Sequence, residues 1–238
     1  MPSPAGDESE VEAFLRRRAR GRRVLLFTLA VLLTTVVLGN AWQQYRGGDD
    51  WARFDRRFFV VQAVMSGDRL AVESADGTVT QVVRLLGIDA PALADADRST
   101  PAAHGALDAY RAAREAAQSR RVMLSLPPLA ARATDGAVLA YVHPDAVSGP
   151  GGDGPADDRL VGTVPTLNEQ LAAAGWAYAD RRSPHPMHKQ FEQAEAEARK
   201  KKRGLWADVR DDQQPAWRRA WLAGLKRESA TESPGGRD

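Results

Sequence analysis

The nineteen residues from Val24 to Trp42 carry no charge. A run apolar on every side has no polar face to turn to water, so it must lie in lipid or at the centre of a large core. As a helix it is about 28 Å long at roughly 1.5 Å per residue, close to a hydrocarbon layer of about 30 Å. Six arginines (Arg16, Arg17, Arg18, Arg20, Arg22, Arg23) stand just before it, and Trp42 and Tyr45 stand at its far end. Arginines hold the cytoplasmic side of a span, and aromatic rings favour the interface. The expectation is a single transmembrane helix over 24–42. The segment 1–23 would then be cytoplasmic, Arg-rich and disordered, and everything after 42 extracytoplasmic. Gly39 and Ala41 also make a small-residue cleavage site, so the alternative is a secreted protein freed from a signal peptide. The run is long for such a peptide, which favours the anchor.

The charge balance narrows what the remainder can attract. The chain has 33 basic and 31 acidic residues. Six of the basic and four of the acidic ones lie before residue 24, so the rest is balanced at 27 of each. Its field has no general pull on phosphate, and any such pull must be local. There is no cysteine, which excludes disulfides and thiolate metal sites.

Residues 43–56 read as a polar linker. Phe58 to Met65 reads as a mostly buried strand, and Arg69 to Ser74 alternates as a half-buried strand does. Ala75-Asp76-Gly77 marks a tight hairpin, and Thr78 to Leu86 returns. Such a meander is the front of a small closed barrel. Residues 102–118 are alanine-rich, with Leu107, Tyr110 and Ala113 on one face of a helix. Arg121 to Leu126 and Val138 to His143 supply two more strands. Residues 144–164 form a surface insertion, whose Asp153, Asp157 and Asp158 lack a calcium-loop spacing. Thr166-Leu167-Asn168-Glu169 is a capping box. A charged helix over 187–203 buries Phe191, Ala194 and Ala198 and ends in the basic run Arg199 to Arg203, read as a solvated face. Beyond 207, Trp217, Trp221 and Leu225 fall every fourth residue. They predict an amphipathic helix that packs on the domain or lies on a membrane, followed by a disordered tail.

Three motifs organise the domain: Met65-Ser66-Gly67-Asp68-Arg69, Arg84-Leu85-Leu86-Gly87-Ile88-Asp89-Ala90-Pro91, and Asp135-Gly136-Ala137-Val138-Leu139-Ala140-Tyr141. They are followed by Leu167-Asn168-Glu169-Gln170-Leu171, Gly175-Trp176-Ala177 and Gly204-Leu205-Trp206. In this order and spacing, residues 57–207 resemble the staphylococcal nuclease family of OB-folds. The expected fold is α+β with a mainly β core: a five-stranded OB barrel with about three packed helices, plus the transmembrane helix and a C-terminal helix over 208–238.

The resemblance also implies a site. Phosphodiester hydrolysis needs charge to neutralise a pentavalent phosphate and a group to position water. The family's calcium ligands fall on Asp68 and Asp89, with a backbone carbonyl from Ala90, and its first phosphate-binding arginine falls on Arg84. The family's water-holding glutamate falls on Ala92, its second arginine on Ala137, and the threonine after the first aspartate on Arg69. Arg69 is long enough to reach a calcium position beside Asp68. Asp95 or Asp97 offers a substitute for the glutamate, and Arg132 for the arginine. The reading is therefore a membrane-anchored pseudo-enzyme that binds single-stranded DNA or RNA, or an envelope protein. The alternatives are an active calcium-dependent endonuclease and a purely structural envelope component.

Overall fold

The computed structural model describes residues 50–95, 97, 99–128, 131–144 and 164–231. The expected span over 24–42, the arginine run before it, most of the 144–164 insertion and the tail beyond 231 lie outside the described residues. Among the described residues, no helix is long and apolar enough to cross a membrane.

Five strands close into a barrel: β1 (Phe58–Ser66), β2 (Arg69–Ser74), β3 (Thr80–Leu85), β5 (Arg121–Ser125) and β6 (Val138–His143), in the order β1-β2-β3-β6-β5. All contacts round the ring are antiparallel except β3 with β6, where Val83, Arg84 and Leu85 face Val138, Leu139 and Ala140 in parallel. The interior is filled by the alternate residues that the sequence marks as apolar. Val61, Leu70, Val72, Val83, Leu124, Val138 and Val142 are fully buried. Each such side chain contributes about 1.5–3 kcal/mol of burial. This is the α+β, OB-type barrel that the family resemblance implies.

The domain starts earlier than the linker reading placed it. Asp50–Phe54 forms a short helix, α1, and Phe54 stacks on Phe59 with ring centroids 5.8 Å apart. Trp51 and Phe54, three residues apart, give this polar stretch one apolar face. Helix α2 (Ala106–Ala117) is shorter than the expected 102–118 and begins after Gly105, which has a positive φ of 71°. Its buried face is Ala106, Ala109, Ala113 and Ala117, while Leu107 is 51% exposed. Alanine wins the inner face because the helix lies close against β1, and the larger leucine is turned outward. Helix α3 (Leu167–Ala173) is capped by Thr166, whose hydroxyl accepts the Glu169 amide at 3.1 Å. The Glu169 carboxylate takes the Gln190 amide at 2.8 Å, so the box is only half made as a local motif. Helix α4 (His188–Lys200) buries Phe191, Glu195 and Ala198.

Two short strands place the site. Gly87, at φ 78°, turns the chain from β3 into β4 (Ile88–Asp89), which pairs with β7 (Tyr178–Ala179). Buried Asn168 braces this turn. Its side-chain carbonyl accepts the Val142 amide at 3.0 Å, and its NH2 donates to Leu86 at 2.8 Å and Ala140 at 3.1 Å. After 3-10 turns at Gly204–Ala207 and Asp211–Gln213 comes the last helix, α5 (Ala216–Thr231). Of the two placements open in the sequence, it packs on the domain.

Candidate functional site

The three matched residues come together at one rim of the barrel. The β1–β2 turn is tight because Gly67 sits against α2 and the β4 exit: a Cβ there would lie 2.6 Å from that of Ala90 and 3.1 Å from that of Ala109. This presses Asp68 inward to 7% exposure. The Ser66 hydroxyl donates to Asp68 Oδ1 at 2.7 Å. Arg84, near the end of β3, lies between the two aspartates. Its Nε is 3.5 Å from Asp68 Oδ2, and its Nη2 is 3.2 Å from Asp89 Oδ1. Burial pushes the Asp68 carboxyl above its ordinary value, against the opposing pull of Ser66 and Arg84.

A second cation reaches Asp89. Arg182, just after β7, places Nη2 2.9 Å from Asp89 Oδ1. The same guanidinium binds Asp180 through Nε at 2.8 Å and Nη2 at 2.7 Å. Burial works to raise the Asp180 carboxyl, yet its bonds to Arg182 bring it below the ordinary value. The remaining oxygen of Asp89 is taken from another direction: the Trp217 indole N–H of α5 donates to Oδ2 at 2.8 Å. Arg182 lies over the Trp217 ring at 4.9 Å, and its neighbour Arg181 over the Trp221 ring at 4.0 Å. Two arginines and two tryptophans thus interleave beside the site, each cation over an aromatic face.

Helix α5 is fixed by one buried ion pair. Arg218 and Glu195 are 2% and 3% exposed. The guanidinium binds Glu195 at 2.7 and 3.1 Å and Gln214 at 3.0 Å, and it lies over Tyr178 and Trp206. Glu195 also accepts the Ala179 amide of β7 at 3.1 Å. The strand that neighbours Asp89 and the helix that caps it therefore share one carboxylate.

The other anticipated residues fall as follows. Arg69 pairs with Asp135, whose carboxyl it holds below the ordinary value. The guanidinium that enters the site is Arg182, not Arg69. Ala92 is exposed, and its carbonyl accepts the Ala103 amide at 2.9 Å. Ala137 is 3% exposed, and its amide donates to Asp135 at 3.2 Å. Ala90 is buried, its Cβ filling the space beside Gly67. Asp95 bridges to Thr100 and accepts the Asp97 amide at 3.1 Å, which folds that loop on itself. Arg132 is held by both oxygens of Asp50, each at 2.6 Å, and by the Gly136 carbonyl at 2.7 Å.

A calcium ion needs several carboxylate or carbonyl oxygens with free lone pairs and a surplus of negative charge. Here Asp68 and Asp89 face Arg84 and Arg182, and both oxygens of Asp89 already accept hydrogen bonds. Among the described residues, no group of three or more His, Cys, Asp or Glu gathers to hold a metal. As folded, this donor set does not fit the ion.

A five-stranded closed barrel with an Arg–Asp pair at the β3–β4 rim and an asparagine brace from α3 defines an OB-type domain of the nuclease kind. Residues 82–208, just over half the chain, match the family of staphylococcal nuclease homologues, and the chain belongs to that family. The match begins within β3, so it spans Arg84, Asp89 and Arg182, while Asp68 lies on the hairpin before it. No curated protein matches the chain.

Proposed function

We propose that this protein is a non-hydrolytic staphylococcal nuclease homologue, anchored by residues 24–42 with its barrel on the extracytoplasmic side, and that it acts by binding. The observation that carries this reading is the state of Asp89. The carboxylate that should face a cation accepts bonds from Arg84, Arg182 and Trp217 instead. The two alanines, Ala92 and Ala137, support it, because neither can position water or donate to a phosphate. Losing one transition-state donor costs about 2.7–4 kcal/mol, on the order of a hundred- to a thousandfold in rate.

The test uses the full-length chain with fluorescent single-stranded DNA and RNA, in calcium or in chelator. An Asp68→Ala/Asp89→Ala variant serves as control. The expected result is no calcium-dependent cleavage above that control. Cleavage that needs both calcium and the two aspartates would overturn the proposal. It would favour the active-endonuclease reading, which draws on the proximity of Asp68, Arg84 and Asp89.

A further inference from the structure

We infer that His185 is a pH-sensitive pin. It holds the segment that carries Arg182 onto Asp89, and its protonation withdraws that guanidinium from the rim. This inference rests on the reading of the rim as a binding surface and names what controls access to it.

Residues 180–187 join β7 to α4 and carry both arginines of the aromatic stack. The segment is tied at its start, where the Asp180 amide donates to the Gly87 carbonyl at 2.9 Å. Beyond that point, His185 alone is buried among residues 181–190. It stands between Pro184 and Pro186, which have no N–H to donate to the barrel. The proline after it also favours an extended backbone at His185, which presents the ring stiffly. One side chain, not a backbone ladder, keeps this loop down.

The ring takes the space beside Gly87 that any side chain there would need. A Cβ on Gly87 would lie 2.5 Å from Nε2. Gly87 is the turn that delivers Asp89. His185 therefore braces the strand of the carboxylate while it holds the loop that brings Arg182 to it. Nδ1 lies 2.9 Å from the Tyr141 hydroxyl, and the Phe191 ring packs beside it with centroids 5.4 Å apart.

The groups facing the ring do not compensate a charge on it. β6 presents the Tyr141 hydroxyl, which burial pushes up to about 12 and keeps neutral. The β3–β4 turn presents uncharged Gly87. α4 presents His188, with ring centroids 6.2 Å apart, and Glu192. The end of β7 presents Asp180. The two carboxylates are engaged by Arg181 and Arg182, at 2.9 and 2.7 Å. A proton on His185 would thus place a buried charge beside a like one, a costly state. Burial and His188 hold its pKa below the ordinary value. Released into water, the imidazole titrates at about 6.5. The packed form is therefore fully favoured above that pH. It loses up to about tenfold per unit as pH falls from there towards the packed value. A barrel outside the cytoplasm, as proposed above, meets such changes directly.

The test is fluorine NMR of the full-length chain labelled with 5-fluorotryptophan, from about pH 7.5 to about 4.5, without calcium or nucleic acid. Trp217→Phe identifies the Trp217 signal among those of the six tryptophans. Arg182→Ala gives the position of that signal without its cation. The wild-type signal should move towards the Arg182→Ala position with a midpoint below about 6.5. In His185→Gln it should hold one position across the range. In His188→Gln the transition should persist and shift to higher pH, since the like charge is gone. The carbon-bound ring protons of the histidines give the titration of His185 itself, should the Gln variant not fold. A flat wild-type signal, a transition unchanged in His185→Gln, one lost in His188→Gln, or a His185 pKa at or above about 6.5 would each overturn the inference. Asp68, whose carboxyl is also raised, would leave its effect in His185→Gln. Cleavage in the calcium assay would refute the non-hydrolytic reading and leave the pin to be judged by the fluorine signal, which needs no ligand.

Discussion

Removing Arg218 should unfasten the C-terminal helix. Its guanidinium is almost wholly buried and supplies two of the bonds to Glu195, at 2.7 and 3.1 Å. Truncation to alanine leaves that carboxylate buried with the Ala179 amide and with Arg181, whose nearer nitrogen is 3.6 Å away. Breaking a buried pair from one side costs about 3–5 kcal/mol. The surviving Arg181 places Arg218→Ala at the lower end, about 3 kcal/mol. For a domain of this size each kcal/mol moves the midpoint by about 2–4 °C, so Tm should fall by about 6–12 °C. Thermal unfolding of the full-length chain, followed by far-ultraviolet circular dichroism, measures it. Glu195→Gln removes the charge that Arg218 serves. The double variant should therefore be more stable than the two single losses summed would allow. A drop under 2 °C, or losses that simply add, would refute the claim that this pair holds α5 on the barrel.

Gly87→Ala should destabilise by about 2–4 kcal/mol, because it adds a left-handed penalty to overpacking. Its Cβ would lie 2.4 Å from His185 and 2.9 Å from Phe191, and the loss appears as a lowered denaturant midpoint. Asp68 has a raised carboxyl pKa, so its protonated form is favoured by folding, and its contribution is lost as pH rises from 3.8 through the folded value. Asp68→Asn should therefore stabilise the fold at pH 7, and the gain should vanish as pH falls towards 3.8. A gain independent of pH would exclude the carboxyl as its source. Ala92→Glu/Ala137→Arg/Arg69→Thr should yield little calcium-dependent cleavage alone, because Arg182 and Trp217 still occupy Asp89. Adding Arg182→Ala/Trp217→Ala should raise cleavage at least a hundredfold over wild type, although such gains need not add. Equal activity with and without the last two changes would refute the role given to them.

The barrel was legible because its evidence is local. Strand β2 follows alternation, the hairpin follows Asp76-Gly77, and the β3 exit follows Gly87; each signal spans only a few residues, whereas β1, expected to be mostly buried, exposes Gln62, Ala63 and Met65. The errors were local too. Spacing puts Leu107, Tyr110 and Ala113 on one helical face, but a helix lying close to a strand selects alanine at 106, 109, 113 and 117 for its buried side. Glu169 was read as half of a capping box, yet its carboxylate is used by Gln190, which comes from the next helix. Phe54 reads as linker because Trp51 and Phe54, a single helical turn in a polar stretch, are too short a run to establish a period.

The site was legible only as far as its motif extends. Asp68, Arg84 and Asp89 meet because the β1–β2 turn, the end of β3 and the short strand β4 that follows it share one rim of the barrel. What occupies them was not legible. Arg182 lies 93 residues from Asp89, and Trp217 lies 128 away. Arg69, adjacent in sequence to Asp68, has the reach to enter the site, but Asp68 lies in the turn while Arg69 opens β2 and pairs with Asp135. Two signals did exist. Asp180-Arg181-Arg182 places paired cations just past β7, beside β4. Trp217 and Trp221 show that the chain beyond 207 has an apolar face in need of cover. Neither reveals the other, because cation–aromatic stacking has no sequence period. Once joined, they explain how Asp89 is partnered: Arg182 brings a guanidinium to one of its oxygens and the Trp217 indole an N–H to the other, from segments that share no motif with it.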